Sequence, residues 1–312
     1  MDKLRIKGCG TALLTPFRNG EVDYTSYAAT VDWQVTTGVD FLVPLGTTAE
    51  TPTLTESEKL QLLEVTLQHA EGHPVLAGVG SNSLNGTLAN MRLLQDADAF
   101  LVVVPFYNKP PQRGMFQYFK AVAQATDKPI VLYNVPGRTS SNIEPDTVLA
   151  LAREVPNIIG IKEASGNVAQ IKAILDGRPE GFSVFSGNDD QTCELMQMGA
   201  DGVISVASNV FPSAMADFVH ALQEGKFQEA EKMHERLMPL FKALFVEPSP
   251  IPAKAAMAQL GLMDNSLRLP LVPATEATEE LIKQTLQALF YWTLRCKNSI
   301  RCWTPWNGAS SA

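Results

Sequence analysis

The chain has 312 residues, 45% of them hydrophobic and 19% charged, with a net charge of −8. That is enough for a large core in one or two domains, and a barrel of alternating strands and helices commonly uses about 250 residues as one domain. Lys and Arg are scattered without a basic run, which argues against nucleic acid or an anionic membrane as partner, and no apolar run approaches the roughly 18 residues of a spanning helix.

Eight short apolar runs recur along the chain: Cys9–Leu14, Phe41–Leu45, Val75–Val79, Phe100–Val104, Ile130–Tyr133, Ile158–Ile161, Phe182–Phe185 and Gly202–Val206. They are too short for helices and rich in Val, Ile and Phe, as strands buried on both faces should be. Helical patterns lie between them. They are Tyr24–Thr37, Ser57–His69, Leu84–Leu94, Met115–Ala125, Pro145–Arg153, Val168–Leu175, Gln191–Met198 and Pro212–Leu222. Thr55 and Glu58 have capping-box spacing before the second helix, and Pro145 and Pro212 suit first-turn positions.

Strict strand–helix alternation demands parallel strands with right-handed crossovers. The first strand leads into Leu13-Leu14-Thr15-Pro16-Phe17, which lacks the glycine-rich turn of a dinucleotide-binding sheet. Eight units therefore predict closure into a (β/α)8 TIM barrel over residues 1–224. Further helices are expected in Gly225–Gln259 and Thr275–Leu289, a C-terminal helical extension over residues 225–289. From Phe290 to residue 312 no helical period continues, and a disordered appendage is expected, with a partner-binding tail as the alternative. Met1–Gly10 shows no charged-then-apolar leader pattern. Cys9, Cys193, Cys296 and Cys302 have no disulfide or zinc spacing beyond a weak signal from the last two, so structural thiols and a cytoplasmic setting are expected.

Catalytic groups of such barrels sit at the C-terminal ends of the strands. Strand six ends in Gly160-Ile161-Lys162-Glu163-Ala164. A lysine partly desolvated in a barrel mouth has a lowered pKa, and its neutral amine can attack a ketone. The competing reading is a structural Lys162 paired with Glu163 or another carboxylate. Strand five ends in Tyr133-Asn134-Val135-Pro136-Gly137-Arg138-Thr139. Tyr133 is a proton relay or a core tyrosine; Arg138, after a Pro-Gly turn, is a carboxylate clamp or a surface arginine. Gly46-Thr47-Thr48-Ala49-Glu50 after strand two is a carboxylate cradle or an ordinary loop. Phe106-Tyr107 beside prolines suggests a rigid loop over a site or at an interface. The loops Ser186–Asp190 and Ala207–Asn209 carry no glycine-rich phosphate cradle, and no His, Asp or Glu cluster has metal spacing.

In combination these strand-end motifs, with Gly202-Val203-Ile204-Ser205, resemble the dihydrodipicolinate synthase / N-acetylneuraminate lyase family of class I aldolases, from about Gly8 to Leu289. The resemblance implies a Schiff base between Lys162 and pyruvate, a relay of Tyr133, Thr47 and a partner subunit's copy of Tyr107, Thr48 on the pyruvate carboxylate, Gly187 and Ile204 lining the site, and Arg138 on the aldehyde's carboxylate. It implies no cofactor, no metal, and a homo-oligomer of dimer or tetramer type. Arg138 and Tyr107 favour L-aspartate 4-semialdehyde as the aldehyde and 4-hydroxy-tetrahydrodipicolinate as the product, the entry to diaminopimelate and lysine synthesis. The alternatives are a sibling aldolase acting on a 2-keto-3-deoxy sugar acid or N-acetylneuraminate, and a catalytically silent keto-acid sensor. Ala49 stands where the family usually has glycine. Glu56 and Lys59 stand where lysine-inhibited relatives have histidines, Gly86 where they have a glutamate, and Phe106 where they have a tyrosine. Weak or absent inhibition by lysine is expected.

Overall fold

A computed structural model describes residues 6–295. All eight predicted runs are strands: β1 Gly8–Ala12, β2 Phe41–Val43, β3 Leu76–Gly78, β4 Ala99–Val103, β5 Ile130–Asn134, β6 Ile158–Glu163, β7 Ser183–Ser186 and β8 Gly202–Ser205. Every pairing among them is parallel, and β1 lies between β2 and β8. A parallel bridge from Leu42 to Val75 joins β2 to β3 and closes the ring into a TIM barrel.

Period-two alternation divides each strand between two cores. On β5, Val131 and Tyr133 point into the barrel, while Ile130 and Leu132 pack under the surrounding helices. The barrel interior is filled by large rings laid over small residues. Phe41 and Phe185 meet edge-on with centroids 5.5 Å apart. A Cβ on Gly10 would come within 2.1 Å of the Phe41 ring, so only glycine leaves that ring its place.

The helices follow the predicted spans closely. Thr55 and Glu58 form the expected capping box at the start of Glu56–His69. The helix predicted to begin at Met115 starts at Gln112, because its first turn is polar and invisible to an apolar pattern. A two-stranded hairpin, Phe17–Arg18 with Glu21–Val22, went unpredicted although Asn19-Gly20 is a strong turn signal. Both turn residues have positive φ, 53° and 85°.

The C-terminal extension is present as Phe227–Ala243, Ile251–Gln259 and Glu276–Arg295. Glu247-Pro248-Ser249-Pro250 separates the first two, since proline supplies no N–H and disfavours helix in the residue before it. The last helix, expected to end at Leu289, continues to Arg295, and Phe290 packs against Phe211 at 5.5 Å. The remainder of the expected tail, with Cys296 and Cys302, lies outside the described residues. Cys9 and Cys193 are both free and buried. Among the described residues no helix is long and apolar enough to cross a membrane, and no group of three or more His, Cys, Asp or Glu could hold a metal ion.

Candidate active site

Strand β6 decides which of two adjacent ionisable groups enters the barrel. Glu163 faces outward, where its carboxylate accepts hydrogen bonds from Asn134 Nδ2 (3.1 and 3.2 Å), Gln170 Nε2 (3.0 Å) and the Ser165 N–H (2.8 Å). Lys162 faces inward and is 5% exposed. Among the described residues no ion pair joins the two, so the salt bridge weighed from sequence does not form. Burial holds the Lys162 amine down to about 8; Asp189 opposes that shift and the Arg138 charge adds to it.

Tyr133 is the register partner of Lys162 on β5, and the Lys162 Nζ lies 4.6 Å from the centre of its ring. Burial raises the phenol's pKa, against the Arg138 charge and a hydrogen bond from Thr47. Thr47 belongs to a tight turn, Thr47–Ala49, that follows β2. The turn is held by hydrogen bonds from the Thr15 hydroxyl to the Ala49 carbonyl (2.9 Å) and from the Thr51 hydroxyl to the Gly46 carbonyl (2.8 Å). Arg138 sits on a short helix, Pro136–Thr139, and donates from Nη2 to the Ser249 carbonyl at 3.1 Å.

One cavity at the C-terminal mouth of the barrel is lined by Lys162, Tyr133, Thr47, Thr48, Arg138 and Gly187. Gly187 is required by space: a Cβ there would stand 2.6 Å from the Ala164 Cβ and 3.1 Å from the Lys162 Cε. Two predicted residues lie elsewhere. Ile204 is buried in the barrel interior, and Val206, two residues on, reaches the cavity wall. Tyr107 is 87% exposed, with φ +72°, and is not part of that wall.

Three contributors escaped the sequence reading. Asp189 lies in the loop after β7, whose sequence offered no glycine-rich phosphate cradle. It is buried, and its Oδ2 accepts from the N–H groups of Val206 (3.1 Å) and Ala207 (3.0 Å), tying the β7 and β8 loops together. Phe245 and Ser249 come from the proline-rich break in the extension and roof the cavity. The two prolines flanking Ser249 were their only local signal.

An inward lysine with a lowered pKa, beside a buried phenol at the C-terminal mouth of a parallel barrel, is the arrangement of a class I aldolase-type lyase. The profile of the Dihydrodipicolinate synthetase family matches residues 5–289, and the chain belongs to that family. It is 45% identical over 287 residues to the 4-hydroxy-tetrahydrodipicolinate synthase of Thermotoga neapolitana, covering 90% of this chain and 98% of that one. The crystal structure of dihydrodipicolinate synthase from Thermotoga maritima matches with a TM-score of 0.90 and 44% identity, over 91% of this chain and 98% of that one. A dihydrodipicolinate synthase from Acinetobacter baumannii complexed with pyruvate matches with a TM-score of 0.88 and 39% identity, over 91% and 98%.

Proposed function

We propose that this chain condenses pyruvate with L-aspartate 4-semialdehyde to give 4-hydroxy-tetrahydrodipicolinate through a Schiff base on Lys162. The observation that carries the reading is the Lys162 amine, buried in a cavity it shares with Tyr133, Thr47, Thr48 and Arg138, with its pKa held down to about 8. At pH 7 such an amine is neutral about a tenth of the time, against well under a thousandth for an ordinary lysine.

The neutral amine adds to the ketone carbon of pyruvate, and water leaves to give an iminium. The iminium is an electron sink, so a methyl proton departs and an enamine forms. The enamine carbon bonds to the aldehyde carbon, and the aldehyde oxygen takes a proton. The semialdehyde's own amine then adds to the imine carbon, and Lys162 leaves as the ring closes. Tyr133, which lines the cavity together with Thr47, is suited to move these protons. Thr48 takes the pyruvate carboxylate, and Arg138 the carboxylate of the aldehyde. The exposed Tyr107 completes the relay in a second copy of the chain, which makes the working protein a homo-oligomer.

Borohydride reduction in the presence of pyruvate, read by mass spectrometry, tests this reading. A reduced pyruvyl adduct on the Lys162 peptide is expected; an unmodified Lys162 overturns the proposal. Arg138→Ala should lower kcat/KM for aspartate semialdehyde far more than it slows trapping of pyruvate, which it affects only through the small rise in the Lys162 pKa.

A further inference from the structure

Glu50 closes the Gly46–Glu50 motif, yet nothing in the proposed chemistry uses it. Its backbone is left-handed, φ +54°, a conformation that persists in a non-glycine residue only where the surroundings impose it. Its side chain is fully buried against Lys254, also fully buried, with Oε1 2.5 Å from the Lys254 Nζ. The other carboxylate oxygen accepts the Arg268 N–H at 3.1 Å. Lys254 also donates to the Ser266 carbonyl at 2.8 Å and stands 4.0 Å over the Phe17 ring. Arg268 lies on the same ring and pairs with Glu58, the capping residue of the next helix. The loop bearing Thr47 and Thr48 is thus bolted to the C-terminal extension, while Lys162 belongs to the barrel itself.

We propose that Glu50 and Lys254 are positioning residues for the active site: their buried ion pair sets the shape of the Thr47–Ala49 turn and so places the Thr47 and Thr48 hydroxyls in the cavity. This rests on pyruvate being held there. A buried pair is weak as a source of stability but specific in geometry, because either charge left alone is strongly disfavoured. The turn therefore has one arrangement in which Glu50 meets both Lys254 and the Arg268 N–H. Losing that arrangement displaces the two hydroxyls without touching the nucleophile.

The measurement is the pyruvate concentration that half-saturates borohydride trapping at Lys162, taken on Glu50→Gln at a temperature where its circular dichroism matches that of the unaltered protein. The half-saturating concentration should rise about tenfold or more, while trapping at saturating pyruvate is retained. Loss of a merely structural pair would lower the melting temperature and leave this concentration in place. Glu50→Gln/Lys254→Met, which leaves neither charge unpaired, carries the same expectation if the single variant does not fold. Folded variants with an unmoved half-saturation overturn this inference alone. No trapping in the unaltered protein overturns the reading of the site and this inference with it.

Discussion

Tyr133 and Lys162 are directly paired across two parallel strands of the barrel, with the Lys162 amine 4.6 Å from the centre of the Tyr133 ring. Their separation is set by the sheet rather than by mobile loops, so the amine keeps a fixed, poorly hydrated position. The residues next to them, Asn134 and Glu163, are also paired, on the opposite face, by hydrogen bonds. One strand pair thus carries the proposed reacting groups inside and a polar lock outside.

The first prediction concerns pH. In the proposed reaction Lys162 attacks as the free amine, and burial brings its pKa down from 10.5 to about 8. Below that value the ammonium dominates, so the second-order rate of imine formation should fall about tenfold per pH unit and level off above it. Asp189 favours the ammonium, so Asp189→Asn should move the limb to lower pH. A limb that stays near 10 in the unaltered protein, or moves upward in the variant, contradicts this electrostatic account.

Tyr133→Phe keeps the ring beside Lys162 but removes the hydroxyl. Turnover should fall by about 10²–10⁴, the usual worth of a positioned acid–base group, while the pyruvate adduct can still be trapped. Thr47→Val should reproduce part of the loss, because Thr47 shares the cavity with the phenol and lowers its pKa. Unchanged turnover in Tyr133→Phe excludes the relay.

Gly187→Ala should impair adduct formation and also lower the melting temperature. The added methyl would meet the Ala164 Cβ, which is fixed to the backbone, at 2.6 Å and the Lys162 Cε at 3.1 Å, so both the loop and the lysine must shift. Trapping kinetics and thermal melting, measured together, check both halves of the statement.

Tyr107 is exposed in the single chain, and its proposed role lies in another copy. Mixing Lys162→Ala with Tyr107→Phe chains under conditions that exchange subunits should restore activity above that of either alone. Each hybrid pair contains one site with both side chains intact. A mixture no more active than its components excludes the shared site.

Lysine should inhibit weakly or not at all. Lys59 would repel an ammonium ligand, and Gly86 supplies no carboxylate to hold one. Half-inhibition by submillimolar lysine in a steady-state titration rejects this.

The order of eight strands, the positions of the helices and the strand ends bearing Lys162, Tyr133, Arg138 and Thr47-Thr48 could all be read from the chain itself. These rest on local quantities: the period of apolar residues, the length of a run, and the polar residue that ends it. The helical turn at residues 112–114 and the Asn19-Gly20 hairpin show the limit, since a polar first turn and a two-residue strand leave little pattern.

The strand pattern by itself left open whether Lys162 or Glu163 enters the barrel, because neighbouring strand residues face opposite sides and both are ionisable; only the resemblance of the combined motifs favoured Lys162. The sheet register and the Asn134 and Gln170 amide donors that hold the Glu163 carboxylate outside the barrel settled it. Asp189 between the β7 and β8 loops, Ser249 under Arg138, and Lys254 against Glu50 were likewise visible only after folding. Each joins segments distant in the chain, and a contact made by chain closure leaves no periodic trace in either segment.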